Sequence, residues 1–264
     1  MRIATWNVNS MLARLPRVLD WLATAKPDVV CLQEIKCSAT EFPTAELAGL
    51  GYDTAVHAAG RWNGVAVLSK IGLDDVRRGL LDEPGFQAEG AMLPANEPRA
   101  IGATCGGVRL WSVYVPNGRE LGHLHYQYKL QWLDALRATV DEELAKHNRF
   151  AVLGDFNIAP TDEDVWDISA FVNSTHVSEP EREALARLRD SGLADVHPRA
   201  LKYDVAFTYW DYRQLCFPKN RGMRIDLVYA NGAFVAGVKD AYVDREARKG
   251  SNPSDHAPVV VDLA

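Results

Sequence analysis

The stretch SDHAPVVVDL, Ser254–Leu263, sets an acid and a histidine directly in front of an unbroken apolar run. Val259, Val260 and Val261 read as a buried strand, because short runs of β-branched residues favour that state. Asp255 and His256 then stand at the strand's mouth. From these residues alone two readings are open, a capped turn entering the strand or one corner of a site. The choice depends on what stands at the ends of the other strands.

Working outward, short apolar runs alternate with amphipathic stretches along the whole chain. Strands are expected at RIATWNV (2–8), DVVCLQE (28–34), GVAVLSK (64–70), RAIGATC (99–105), VRLWSVYVP (108–116), FAVLGDF (150–156), RIDLVYA (224–230) and APVVVDL (257–263). Helices are expected over 15–25, 124–147 and 180–190. In the second, Leu130, Leu133, Leu136, Val140 and Leu144 recur at spacings of three and four and give one buried face. Ser178 followed three residues later by Glu181 is a capping-box signature. No composition shift or Pro/Ser-rich linker divides residues 1–264, so one domain is expected. Strands spread over both halves, many reading as buried on both faces, are satisfied by two sheets packed face to face with helices outside. The expected fold is an α/β sandwich.

Of the 264 residues 47% are hydrophobic and 24% charged, the composition of a soluble globular protein. No repeat of solenoid period and no apolar run of membrane-spanning length occurs. Ile3 already lies in a strand-like pattern, so no signal peptide is expected. Cysteines stand at 31, 37, 105 and 216, with no C-x-x-C and no histidine spaced to complete a zinc site. A reduced, cytoplasmic location is the expectation. The net charge of −6 argues at first against a nucleic-acid partner. Local distribution matters more: YRQLCFPKNRGMRI, 212–225, holds Arg213, Lys219, Arg221 and Arg224 and no acid. That stretch is either a phosphate-facing loop or a solvated surface loop.

What ends each strand forms a pattern. RIATWNVN carries Asn7 and Asn9, VVCLQE ends in Glu34, and VYVPNG supplies Tyr114 and Asn117. LGDFN ends in Asp155 and Asn157, Asp226 sits in an apolar strand, and Asp255 and His256 complete the set. An unpaired buried carboxylate is costly, so each acid needs a partner or a metal. If the strands are neighbours, these groups converge on one pocket. Hard oxygen donors such as Glu34 and Asn7 suit Mg²⁺ or Mn²⁺ better than zinc. No Ser or Cys nucleophile stands in an elbow context. Asp155 and Asn157, two apart on one strand, face the same side and can hold one water between them. Asp226 beside His256 would fix the imidazole tautomer and favour its protonated form. Carboxylates, metal, oriented water and imidazolium together point to hydrolysis of a phosphate ester.

In this order, TWNVNS, LQEIKC, YVPNG, GDFNIAPTD, NRGMRIDLVYA and SDHAPV resemble the motif series of the exonuclease III / AP endonuclease family. That family, with its compact bacterial exodeoxyribonuclease III type, is a branch of the endonuclease–exonuclease–phosphatase superfamily. GLADVHP and FTYWDYR fall where the DNA-repair branch has them, and the resemblance runs from Met1 to about Val261. It implies a four-layered α/β sandwich of two mixed β-sheets packed face to face, with helices on both outer sides. The implied activity is Mg-dependent DNA repair: cleavage 5′ to abasic sites, 3′-to-5′ exonuclease action and 3′-end processing. The implied partner is double-stranded DNA with abasic sites or 3′ ends, bound by a monomer, with no membrane involved.

Residue by residue, the resemblance makes Glu34 the principal Mg²⁺ or Mn²⁺ ligand, with Asn7, Asp155, Asn157, Asp255 and His256 around the metal. Asp155 would orient or deprotonate the water and Asn157 would position water and phosphate. Tyr114 would meet the scissile phosphate as phenol or phenolate. His256, oriented by Asp226, would stabilise transition-state charge. Asn117, Arg119, Arg213, Lys219, Arg221 and Arg224 would face DNA. Tyr209, Met223 and Ile225 would wall the pocket for a baseless sugar, with Trp210 behind them. Leu12 stands where relatives carry a basic residue, leaving Arg14 as the nearest cation. Two other readings stay open: a phosphatase of inositol phosphates or phospholipids, and an inactive DNA-binding module. Histidines 57, 123, 125, 147, 176 and 197 read as surface or core residues.

Overall fold

The computed structural model describes all residues, Met1–Ala264. The strands are β1 (Arg2–Asn7), β2 (Val29–Gln33), β3 (Asp53–His57), β4 (Val65–Ser69), β5 (Asp74–Arg78), β6 (Ala100–Cys105) and β7 (Val108–Tyr114). They continue with β8 (Phe150–Asp155), β9 (Leu193–Asp195), β10 (Arg199–Ala200), β11 (Asp226–Asn231), β12 (Val238–Val243) and β13 (Val259–Leu263). Helices are α1 (Met11–Ala25), α2 (Thr44–Gly49), α3 (Leu124–Leu144), α4 (Glu179–Asp190) and the short α5 (Gly232–Val235). One sheet has the order β10-β12-β13-β1-β2-β4-β3 and the other β5-β6-β7-β8-β11-β9. Both are mixed: β1 runs parallel to β2 and antiparallel to β13, and β8 runs parallel to β7 and antiparallel to β11. No helix is long and apolar enough to cross a membrane.

Strand alternation distributes the core into layers. Ile3, Val29, Cys31, Val67, Val259 and Val261 point between the sheets and meet Ile101, Ala103, Leu110, Ala151, Leu153 and Val228. Their strand neighbours Ala4, Trp6, Val30, Leu32 and Val260 turn outward beneath Met11, Val18, Trp21 and Leu22 of α1. On the far side, Trp111, Val113, Val152 and Leu227 pack under Trp132, Leu133, Leu136 and Val140 of α3 and Leu185 and Leu188 of α4. Both faces of these strands are buried, which is why they read as continuous apolar runs. The result is a four-layered α/β sandwich, as the sequence implied.

The elements missing from the sequence reading are mostly edges. Strands β3, β5, β9 and β10 are the four outermost strands of the two sheets, and β12 lies next to one of them. Edge strands are solvated on one side and carry charges, as in DDVRR of β5, so apolar periodicity does not mark them. Helix α1 starts at Met11, ahead of the expected Leu15, and runs through Pro16 with Ser10 as its cap. Ser178 and Glu181 do form the expected capping box of α4.

Topology places the polar strand ends together. Parallel strands β1, β2, β7 and β8 finish at Asn7, Gln33, Tyr114 and Asp155, and antiparallel β11 begins at Asp226. In register, Asp155 is paired with Tyr114 on one side and Asp226 on the other. Asp226 is thus the first residue of its strand, not an interior one.

Candidate active site

One amide joins the two central carboxylates. Asn7 Nδ2 donates to Glu34 Oε1 and to Asp155 Oδ2, each at 2.8 Å, while its Oδ1 accepts from the Asn9 backbone at 3.0 Å. Glu34 follows β2 in a left-handed turn (φ 50°), and its Oε2 pairs with Lys36 at 2.6 Å. Burial would raise the Glu34 carboxyl, but Lys36 and Asn7 outweigh it and hold it below the ordinary value. Asp155 is buried, and burial together with Asp226 and Glu34 pushes its carboxyl upward against the pull of His256 and Asn7.

The imidazole is held from behind. His256 Nδ1 lies 2.8 Å from Asp226 Oδ2, and Nε2 lies 3.8 Å from Asp155 Oδ2. Burial opposes a charge on His256, but Asp226 and Asp155 outweigh it and raise the imidazole well above its ordinary value. It is therefore an imidazolium at neutral pH. Its backbone is pinned as well: Ser254 Oγ accepts from His256 N at 3.2 Å and donates to the Asn7 carbonyl at 2.7 Å. Trp6 Nε1 donates to the His256 carbonyl at 3.1 Å. Thr208 Oγ1 accepts from Asp226 N at 3.1 Å. The SDH trio is therefore a braced corner of a site.

Asn157 does not sit beside Asp155 by strand alternation. Strand β8 ends at Asp155, and Asn157 (φ 51°) curls back so that its backbone N–H donates to Asp155 Oδ1 at 2.9 Å. Its Nδ2 donates to the Val115 carbonyl at 3.0 Å, and its Oδ1 accepts from Asn117 Nδ2 at 3.2 Å. Tyr114 carries Arg99 over its ring at 4.6 Å. Burial, then the Glu34 charge, lifts the Tyr114 hydroxyl far above its ordinary range, so it acts as a phenol.

A cavity of about 210 Å³ is lined by Glu34, Tyr114, Asn157, Asp155, Tyr209 and His256, with Asn117, His176, Met223, Ile225 and Asp255 completing the wall. A larger groove of about 590 Å³ shares Glu34 and Tyr114 with it and extends past Lys36, Trp62, Arg99 and Arg119. The Tyr209 and His256 rings stand 4.9 Å apart, which puts the aromatic wall against the imidazole.

Sequence-based assignments change at Arg224, Trp210, Asn7 and Asp255. Arg224 does not face DNA: it is 2% exposed and pairs with Asp164 at 2.6 Å and Asp195 at 3.0 Å, an inward cation neutralised by two acids. Trp210 is 1% exposed and is core, its Nε1 donating to Asn220 Oδ1 at 3.2 Å. Asn7 turns its N–H₂, not its oxygen, toward the acids, because Asn9 N takes the oxygen. Asp255 lines the cavity but stands outside the Glu34, Asp155, His256 group, its Oδ1 accepting from Asn9 Nδ2 at 3.1 Å. Of the basic stretch, Arg213 is exposed but tied to Asp211, Lys219 is exposed, and Arg221 lies over the Trp166 ring at 4.7 Å. Asn117 and Arg119 are exposed at the cavity's rim.

His176, read from sequence as a surface or core residue, is a member of the site: Nε2 lies 3.1 Å from Asn157 Oδ1 and 3.2 Å from Asn117 Nδ2. It lies in a loop between elements, where no periodicity points to it. Lys36 and Arg99 were missed too, although LQEIK places Lys36 two residues from Glu34.

Ligand atoms of Glu34, Asp155 and His256 lie within 4.8 Å of one another. A protonated imidazole has no lone pair to give, so the donors on offer are the two carboxylates. Such a set fits a hard divalent cation such as Mg²⁺ or Mn²⁺.

The chain is similar to known proteins along its length. The 3′ phosphatase NExo from Neisseria, solved bound to product DNA hairpin, is 37% identical with a TM-score of 0.92, covering 100% of this chain and 99% of that one. An AP endonuclease from Archaeoglobus fulgidus is 31% identical with a TM-score of 0.89 over the same shares. Exodeoxyribonuclease III of Haemophilus influenzae is 28% identical over 270 residues, 98% of each chain. The model of the endonuclease/exonuclease/phosphatase family matches residues 4–256. With that match spanning nearly every strand of both sheets, the chain belongs to the endonuclease/exonuclease/phosphatase family.

Proposed function

We propose that this protein is a DNA-repair nuclease that hydrolyses phosphate esters of DNA at 3′ ends and at abasic sites, using one site and a bound Mg²⁺ or Mn²⁺. The observation that carries the reading is the convergence of Glu34, Asp155, Asn157, Tyr114 and the Asp226–His256 pair on a single cavity. The similarity to a 3′ phosphatase, an AP endonuclease and an exodeoxyribonuclease III supports DNA as the substrate class.

Asp155 takes a proton from a water that Asn157 orients, and the resulting hydroxide attacks phosphorus opposite the leaving oxygen. Glu34 and Asp155 would hold the divalent cation, which would supply Lewis-acid neutralisation of phosphate charge. The His256 imidazolium and the Tyr114 phenol donate hydrogen bonds to phosphate oxygens as negative charge grows on them. Asp226 keeps the imidazole charged and aimed. Tyr209, Met223 and Ile225 press against the sugar, and a baseless sugar enters because its stacking is already lost.

A second reading, in which 3′-end processing dominates incision at abasic sites, is favoured by His176. Its ring stands at the junction of Asn117 and Asn157 on the cavity wall, where a flipped-out sugar would have to fit beside it. A terminal 3′-phosphate needs no such room. Duplexes carrying an internal abasic site, a 3′-phosphate nick or a recessed 3′ end, assayed beside an inositol phosphate with and without Mg²⁺, test both readings. Turnover of the inositol phosphate alone would overturn the DNA assignment, and efficient abasic incision would overturn the second reading.

A further inference from the structure

Lys129 of α3 and Glu181 of α4 are both fully buried and paired with each other. An ammonium has three N–H donors and no acceptor. Lys129 uses all three: Nζ donates to the Asn157 carbonyl at 2.7 Å, the Asn117 carbonyl at 3.2 Å, and the Glu181 carboxylate. Glu181 in turn accepts from the His176 backbone N–H at 3.0 Å and from Ser178 N at 3.1 Å and Oγ at 2.6 Å. Asn117 lies in the β7–α3 connection and Asn157 and His176 near the two ends of the β8–α4 connection, and their side chains form the hydrogen-bonded cluster on the cavity wall. Two of these residues hold left-handed backbone, Asn157 at φ 51° and His176 at φ 79°. Such conformations are sparsely populated and persist only where surroundings over-determine them. One buried ion pair supplies that determination to all three positions.

We propose that Lys129 and Glu181 are positioning residues for catalysis, fixing the Asn117–Asn157–His176 cluster and, through Asn157, the water presented to Asp155. The inference rests on the phosphate-ester hydrolase reading above. A plain structural brace is the competing account. Buried ion pairs replaced by neutral side chains of similar volume leave stability about unchanged or raise it, whereas removal of one partner strands a charge. The pair can therefore be removed as a unit. Lys129→Met with Glu181→Gln leaves no buried charge, and Gln keeps a capping-box residue at its helix position.

The experiment measures kcat, KM and melting temperature of this double variant on a nicked 3′-phosphate duplex, then repeats Asn157→Ala in both backgrounds. Misplacement of reacting groups by about 1 Å costs on the order of 10²-fold in rate. The expected result is a folded protein with kcat reduced about 10- to 100-fold, KM within about threefold, and an Asn157→Ala effect far smaller than in the parent. A folded variant with kcat within twofold of the parent, or an undiminished Asn157→Ala effect, overturns the proposal. If the double variant does not fold, Lys129→Arg takes its place. Its planar fork keeps the charge but cannot reproduce three diverging donors, so kcat falls, and unchanged kcat overturns the proposal. Failure of the parent enzyme on every DNA substrate would instead refute the hydrolase reading itself.

Discussion

Asp226 Oδ2 and His256 Nδ1 lie 2.8 Å apart in a fully buried contact, and the far ring nitrogen of His256 lies 3.8 Å from Asp155. One carboxylate therefore charges and orients the imidazole, and the other receives its field. Removing either partner loses the same interaction. His256→Asn and Asp226→Asn should each lower kcat about 10²- to 10³-fold. The double variant should lose far less than the product of the two. Strict multiplication of the single effects in single-turnover assays would show that the residues act separately.

Asp155→Asn preserves shape and removes the proposed base. It should leave DNA affinity within about threefold and lower the cleavage rate roughly 10²- to 10⁴-fold. Asn7 Nδ2, which now donates to Asp155, would face an amide and not a carboxylate, so a modest change in melting temperature is expected as well. Cleavage at parental rate would transfer the base role to another group.

The cation assignment has a readout apart from activity. A ligand that binds only the folded protein raises its stability by RT ln(1 + [L]/Kd). Millimolar Mg²⁺ should raise the melting temperature of the parent and not of Glu34→Ala, and EDTA should abolish cleavage. An equal thermal shift in both proteins would remove Glu34 from the cation site.

His125 gives a pH dependence of stability away from the carboxylates. Burial first, then Arg99, lowers its imidazole to about 4, and Gly118 N donates to its Nδ1 at 3.1 Å, which requires that nitrogen unprotonated. The unfolded chain takes up the proton below the ordinary value of about 6.5, so between 6.5 and about 4 the unfolded state binds more protons. Stability should fall as pH drops through that window, by about 2–3 kcal/mol from this group, and level off below it. Denaturant unfolding of the parent and His125→Asn at pH 7, 6, 5 and 4 isolates the contribution as a difference. Parallel pH curves for the two proteins would refute it.

The sequence was most legible where strands are buried on both faces. Glu34, Tyr114 and Asp155 each follow or end such a run and His256 stands just before one, and topology brings them together because those runs are central neighbours in their sheets. Legibility failed where charge is paired across sequence. Arg224 stood in an acid-free stretch, yet its partners Asp164 and Asp195 arrive from other parts of the chain. His176 and Lys129 failed for the opposite reason: one sits in an aperiodic loop, and the other reads as an ordinary lysine on a helix. Neither period nor composition reports a three-dimensional hydrogen-bond cluster.

The last prediction separates the cavity's two walls. Tyr209 is partly buried against His256, with backbone bridges to Met223 and His256, so it touches whatever occupies the cavity from the aromatic side. His176 touches it from the Asn157 side. If the aromatic side recognises a baseless sugar, Tyr209→Ala should erode the preference for abasic over normal nucleotides more than it slows 3′-phosphate removal. If His176 limits the room for that sugar, His176→Ala should raise abasic incision relative to 3′-phosphate removal, because the smaller side chain opens the wall while Asn117 Nδ2 still reaches Asn157. Both variants need a melting curve close to the parent's, since Tyr209 also packs beside Met223 and Ile225. The measured quantity is the ratio of kcat/KM on the two duplexes. A Tyr209→Ala ratio equal to the parent's would return this tyrosine to the core. An unchanged His176→Ala ratio would leave His176 with the positioning of Asn157 as its role.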